Sequence, residues 1–180
     1  MASLQSFAPV SHAKVRTLIL GSMPGKRSLM DNQYYAHPRN AFWPLMATLL
    51  QFELGSYSRQ LQSLLKADIA LWDVLQACDR ASSLDADIIE SSIVPNDFTG
   101  FLDGHKNIVA IYFNGAKAEQ MYKRHVLPNL SQQLIDRDIS TLRLPSTSPA
   151  HASKSFEQKL DAWRVIIDWI IICLFGLRFV

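Results

Sequence analysis

Four short runs of continuous apolar character constrain this chain more than any other feature: "TLILG" at 17–21, "IALWDV" at 69–74, "IVAIYFN" at 108–114 and "STLRLP" at 140–145. Apolar residues on consecutive rather than alternate positions suit strands covered on both faces. The segments between them carry a helical period. "FWPLMATLLQF" and "AKAEQMYKRHVL" place apolar residues three and four apart. "SFEQKLDAWRVIIDWII" puts Phe156, Leu160, Trp163, Ile166 and Ile167 on one face. Strands alternating with helices imply right-handed βαβ units. The expected fold is α/β, a three-layer α/β/α sandwich around a central, mainly parallel four-stranded sheet.

At 180 residues, with no repeat, low-complexity tract or long Pro/Ser-rich linker, the chain reads as one domain over 1–180. Its 48% hydrophobic and 19% charged residues exclude a disordered chain. A net charge of +2 permits a local basic face without announcing nucleic-acid binding. Cys78 and Cys173 lie far apart, with no CxxC pair or histidine cluster near them. That pattern supports neither a zinc site nor a disulfide framework and points to a reducing compartment, the cytoplasm, near the nucleoid if the source is bacterial. The N-terminus lacks the profile of a signal peptide. "VIIDWIIICLFGLRFV" is broken by Asp168 and Arg178 and falls short of the ~20 residues of a membrane span. A helix over about 165–180, buried in the core and ending near Gly176, is expected there, with a membrane-surface tail or an oligomer contact as the lesser reading. A monomer without a membrane span is expected.

The strand ends locate the chemistry. The first strand runs into "GSMPG", the third into "NGAKA" and the fourth into "LPSTSPAHA". In a parallel sheet these loops share the carboxyl edge, where ligand sites lie. "GSMPGK" has the spacing of neither GxxxxGK[ST] nor GxGxxG, and no HExxH or GxSxG occurs. A site without metal or cofactor, built from backbone amides, Asn, Ser, Tyr and His, remains.

"LILGSMPG…QYYAHPRNAFW" resembles the uracil-DNA glycosylase superfamily, and most closely the first motif of its mismatch-specific members, in which a GxNPG turn precedes an aromatic-AHP-x-N-x-FW segment. "LPSTSPAHA" sits where that superfamily carries its second motif. "LWDVLQACDRASSLDADI", "NDF" and "IYFNGAKA" are similar to the hypoxanthine-type branch, the deoxyinosine glycosylases. The resemblance covers most of residues 15–165. It implies a monofunctional enzyme that flips a deaminated base out of DNA, hypoxanthine first and uracil second, and hydrolyses its N-glycosidic bond with water. The bond breaks with positive charge on the sugar and negative charge on the leaving base, and stabilising both requires no metal. The alternative is a module of the same fold that binds lesion DNA without catalysis. A small-molecule hydrolase in the same cleft is a third reading, and no nucleophile–base pair supports it.

The resemblance carries roles residue by residue. Backbone N–H groups around Gly21, Ser22, Met23 and Gly25 would cradle the base, with Pro24 among the substrate-binding residues of the turn; the plainer reading is a turn. Tyr35 aligns with the aromatic that stacks on the flipped base, against a half-buried core tyrosine. Phe42 and Trp43 read as core, and His37 and Pro38 as shaping the loop. Met23 stands where the mismatch-specific branch has its water-positioning asparagine, so the functional asparagine would be Asn40, as in the hypoxanthine-type branch. Asn40 also reads as a helix N-cap with Pro44 in the first turn. Leu144 replaces the polar residue that opens the second motif, whereas Ser146, Thr147 and Ser148 keep hydroxyls suited to a phosphate. His151 would stabilise the leaving base or touch a phosphate, or it is a surface histidine. Asn114 is a reader of the base edge or a turn residue. Arg39, Lys117 and Lys154 are backbone contacts or solvated charge. Asp73, with Asp79 beyond it, is a second candidate to activate water, against a helix cap.

Overall fold

The computed structural model describes residues 3–82 and 85–167. Cys173 and the expected apolar helix beyond 167 lie outside the described residues. In chain order the strands are β1 (Leu4–Gln5), β2 (Thr17–Gly21), β3 (Ile69–Asp73), β4 (Leu75–Cys78), β5 (Val94–Pro95), β6 (Ala110–Asn114) and β7 (Ser140–Leu144). Four of them form a wholly parallel sheet in the order β3-β2-β6-β7.

Alternating side chains of this sheet feed two apolar layers. Leu18 and Leu20 of β2, Ala70 and Trp72 of β3, and Ile111 and Phe113 of β6 face one way. Ile19, Ile69, Leu71, Ala110 and Tyr112 face the other. The first layer is closed by α4 (Phe98–Gly104), α5 (Ala116–Met121) with the π-turn Tyr122–Val126, and α6 (Gln132–Ile135). The second is closed by α2 (Phe42–Leu50), α3 (Tyr57–Lys66) and α7 (Phe156–Trp163), while the short α1 (Lys26–Asp31) follows the first loop. The three-layer sandwich is therefore the observed fold. Trp163 is fully buried and donates Nε1–H to the Pro145 carbonyl at 3.0 Å, tying α7 to the loop after β7. Trp163→Ala is expected to destabilise by about 3–5 kcal/mol in urea unfolding, because the cavity cannot collapse against a sheet.

Two expectations need correction. β7 is an edge strand, and Ser140 through Arg143 are exposed, so its apolar run is not covered on both faces. Phe156 is 37% exposed rather than core, since it opens α7 beyond the sheet. A second, antiparallel sheet in the order β1-β4-β5 is an addition. After Asp73 the chain does not turn away: Val74 and Leu75 N–H donate to the Gly21 and Ser22 carbonyls, so β4 runs on beside the loop that leaves β2.

Candidate active site

From β2 the chain moves first to β3 on one side and then to β6 on the other. This reversal opens a crevice outside the carboxyl ends of β2 and β6. A cleft of about 400 Å³ occupies that place, lined by all three loops expected to meet there. Its size suits a small-molecule or nucleobase site.

Gly21 ends β2 under the carboxylate of Asp73, its register partner in β3. A Cβ at Gly21 would collide with Asp73 Oδ1 and stand 3.1 Å from the Tyr35 hydroxyl. Only glycine lets these two side chains lie over the strand end. Asp73 is 3% exposed, and it is the one acidic side chain among the described residues of the cleft lining. It caps no helix. Its charge reaches the tyrosines behind it: burial first and Asp73 second push the Tyr34 phenol far up, and that hydroxyl stays protonated and donates to the Ala8 carbonyl at 3.2 Å. Burial likewise raises Tyr57, whose oxygen accepts from the Tyr34 N–H at 2.9 Å.

Ser22, Met23, Pro24 and Gly25 continue the cleft wall. The Met23 side chain is buried in the apolar cluster of Leu20, Val74 and Phe113. Tyr35 adopts a left-handed φ of 55° and stacks on Phe42 at 4.1 Å and 25°. Phe42 and Trp43 are core, as expected. The His37 carbonyl accepts from Asn40 N–H at 2.8 Å, and its Nδ1 accepts from Arg39 N–H at 3.1 Å.

Helix α2 starts one residue later than an Asn40 cap requires, since Ala41 holds the capping position. Asn40 Oδ1 accepts from the Phe42 N–H at 3.0 Å. An N–H only donates, so the amide oxygen is turned to the helix. The Asn40 Nδ2 group has no acceptor among the described residues, and Asn40 lines the cleft.

The second-motif loop is anchored from behind. Asn114 Nδ2 donates to Thr147 Oγ1 at 2.9 Å, and Thr147 N–H donates to Asn114 Oδ1 at 2.8 Å. Thr147 is 1% exposed and lines the cleft, with its hydroxyl oxygen accepting from Asn114. Ala41 N–H donates to the Thr147 carbonyl at 3.0 Å and joins the two motif segments. Gly115, at φ 101°, lets Ser146 approach: a Cβ there would stand 2.9 Å from Ser146 Cβ. Ser146 Oγ accepts from Ser148 N–H, and Ser148 Oγ accepts from Ala150 N–H, both at 3.2 Å. Each hydroxyl keeps its own proton to donate. Asn114→Ala orphans the buried Thr147 N–H and is expected to cost about 1–3 kcal/mol in urea unfolding.

His151 lines the cleft beside Ser148, with Nε2 3.3 Å from Ser153 Oγ. Its carbonyl accepts from Lys159 Nζ at 2.9 Å, and burial lowers the Lys159 pKa. Lys26, Arg27 and Lys117 line the cleft, with Arg27 paired to Asp31 at 2.7 Å. Arg39 and Lys154 are exposed and lie outside the lining. No group of three or more His, Cys, Asp or Glu among the described residues is placed to hold a metal ion, and no described helix is long and apolar enough to cross a membrane.

Three supporting residues carry no sequence signal. Arg80, in the polar "ACDRASS" stretch, is 6% exposed and donates Nη2–H to the Pro24 carbonyl at 2.6 Å. Lys159 reads as an ordinary charged position of α7, and Tyr57 as the start of a surface helix. Each acts through a backbone group outside its own element, 8 to 56 residues away, which periodicity does not report.

Comparison with known proteins agrees with this architecture. A solution NMR structure from Methanosarcina acetivorans, described as a candidate uracil DNA glycosylase, superposes with a TM-score of 0.72 at 33% identity, covering 92% of this chain and 99% of that one. A hypoxanthine DNA glycosylase of Methanosarcina barkeri is 38% identical over 116 residues, 63% of this chain and 72% of the relative. Another, from Methanosarcina acetivorans, is 34% identical over 137 residues, 71% of this chain and 85% of the relative. The family model for the uracil DNA glycosylase superfamily matches residues 8–167, and the chain belongs to that superfamily.

Proposed function

We propose that the chain is a monofunctional DNA glycosylase that draws a deaminated base, hypoxanthine ahead of uracil, into this cleft and hydrolyses its N-glycosidic bond. The named relatives point to that substrate class. The observation that carries it here is the orientation of Asn40. With Oδ1 held by Phe42 N–H, its amide offers an NH2 donor. Deamination of adenine to hypoxanthine, or of cytosine to uracil, exchanges an amino donor for a carbonyl acceptor. A fixed donor pairs with the lesion and opposes the parent base. The same hydrogen bond strengthens as the base departs with the bonding electrons.

An amide NH2 cannot take a proton from water, so the acceptor is assigned to Asp73. Its buried carboxylate orients the water and opposes the positive charge growing on the sugar. Tyr35, backed by Phe42, supplies the stacking face. Asn114 acts as the clamp that sets the Ser146–Ser148 loop, and the Ser146 and Ser148 hydroxyls donate to a DNA phosphate. His151 sits at the rim for the leaving base or a phosphate. Lys26, Arg27 and Lys117 at the cleft, with Arg39 and Lys154 outside it, add positive charge along the DNA path. Flipping costs a few kcal/mol, least for a mispaired base.

Duplexes carrying hypoxanthine, uracil, xanthine or a thymine mismatch, followed by alkaline scission of the abasic product, test the reading. Hypoxanthine is released fastest and uracil next, with intact adenine and cytosine untouched. Salt-dependent binding to the same duplexes without base release overturns it in favour of a binding module.

A further inference from the structure

We infer that Arg80, which lies outside the cleft lining, is a positioning residue for base release: it locks the Pro24–Gly25 peptide so that the Gly25 N–H serves the departing base. The inference rests on the glycosylase reading above.

The Arg80 guanidinium is 6% exposed, and its Nη2–H···O bond to Pro24 is short, 2.6 Å, as charge-assisted bonds are. One donor of this buried guanidinium is thus spent on a loop carbonyl 56 residues away in sequence. The described residues contain no cis peptide, so in the Pro24–Gly25 unit the C=O and N–H point in opposite directions. With the carbonyl turned to Arg80, the Gly25 N–H is aimed away from Arg80, which lies outside the cleft that Pro24 and Gly25 line. The Gly25 carbonyl is taken by Leu29 N–H at 3.0 Å, whereas the Gly25 N–H meets no acceptor among the described residues. A cation bonded to the carbonyl polarises the peptide and makes its N–H a stronger donor. Negative charge grows on the base as its bond to the sugar breaks, and a fixed, polarised donor holds that charge without reorganising. Arg80 sets both the direction and the strength of this donor without touching the substrate.

A double-mutant cycle tests the inference. Gly25 has φ −71° and ψ 166°, a backbone proline adopts, and nothing stands within 4 Å of a Cβ added there. Gly25→Pro therefore replaces the N–H by a ring carbon, and Gly25→Ala, measured beside it, reports the added Cβ alone. Single-turnover release of hypoxanthine is expected to fall about 100-fold further in Gly25→Pro than in Gly25→Ala, and about 10- to 100-fold in Arg80→Gln. In the Gly25→Pro background Arg80→Gln is expected to lower the rate by less than about threefold, because the group it acts through has gone. Arg80→Lys, which restores a cationic donor, recovers part of the rate. If Arg80→Gln lowers the rate equally in both backgrounds, Arg80 acts elsewhere and the inference fails. If Arg80→Gln does not fold, Arg80→Lys in the two Gly25 backgrounds closes the same cycle. A wild-type protein that releases no base overturns the glycosylase reading and this inference together, whereas an additive cycle in an active enzyme overturns only the inference.

Discussion

Asn40→Ala is expected to slow single-turnover release of hypoxanthine by about 10²- to 10³-fold, the loss seen when one preorganised donor is removed from a charge-stabilising site. Stability should fall far less. The substitution removes one hydrogen bond to the Phe42 N–H, about 1 kcal/mol, or a Tm shift of about 2–4 °C for a chain of this size. Asn40→Asp separates the two duties of the side chain. Aspartate keeps an oxygen for the Phe42 N–H, so the start of α2 survives and Tm stays near that of the wild type. It also puts an anion where the NH2 donor stood, against a carbonyl oxygen that is gaining negative charge. The rate with Asn40→Asp should therefore fall at least as far as with Asn40→Ala. Wild-type release by a folded Asn40→Asp protein would remove the donor from the mechanism.

How much of this was legible in the sequence follows from the range of each signal. The parallel sheet was readable because β2, β3 and β6 are buried on both faces and show it as unbroken apolar runs. β7 carries a similar run yet leaves Ser140 through Arg143 exposed, whereas β3, the other terminal strand of the sheet, is buried throughout, because covering helices far away in sequence decide which terminal strand is buried. The antiparallel β1-β4-β5 sheet is hidden in the sequence because β4 follows β3 after one residue and reads as its continuation. The three loops of the cleft were readable from small and polar residues at the strand ends. Asn40 could be singled out by its motif, but the direction of its amide depends on the Phe42 N–H and only a structure supplies it. Asn114 and Thr147 both read as ligand-facing groups; both line the cleft, and they also hydrogen-bond each other. Sequence reading marks which polar groups gather at an edge, and it is blind to which of them satisfy one another.

Asp73→Asn carries the second large effect, and its two readouts are expected to move in opposite directions. Asparagine keeps the shape over Gly21 and removes the charge. Without an acceptor for the proton of water, the rate should drop by about 10²- to 10³-fold, with lesion-DNA affinity little changed. Stability should hold or rise, because a carboxylate 3% exposed costs far more to desolvate than its neutral isostere. A structural carboxylate would behave differently: its removal would lower Tm and slow catalysis only in proportion to the unfolded fraction. Retention of buried charge against the interest of stability is the mark of a group kept for chemistry. An Asp73→Asn protein that loses stability yet releases hypoxanthine at the wild-type rate would place this carboxylate in the scaffold and return the water to Asn40 or His151.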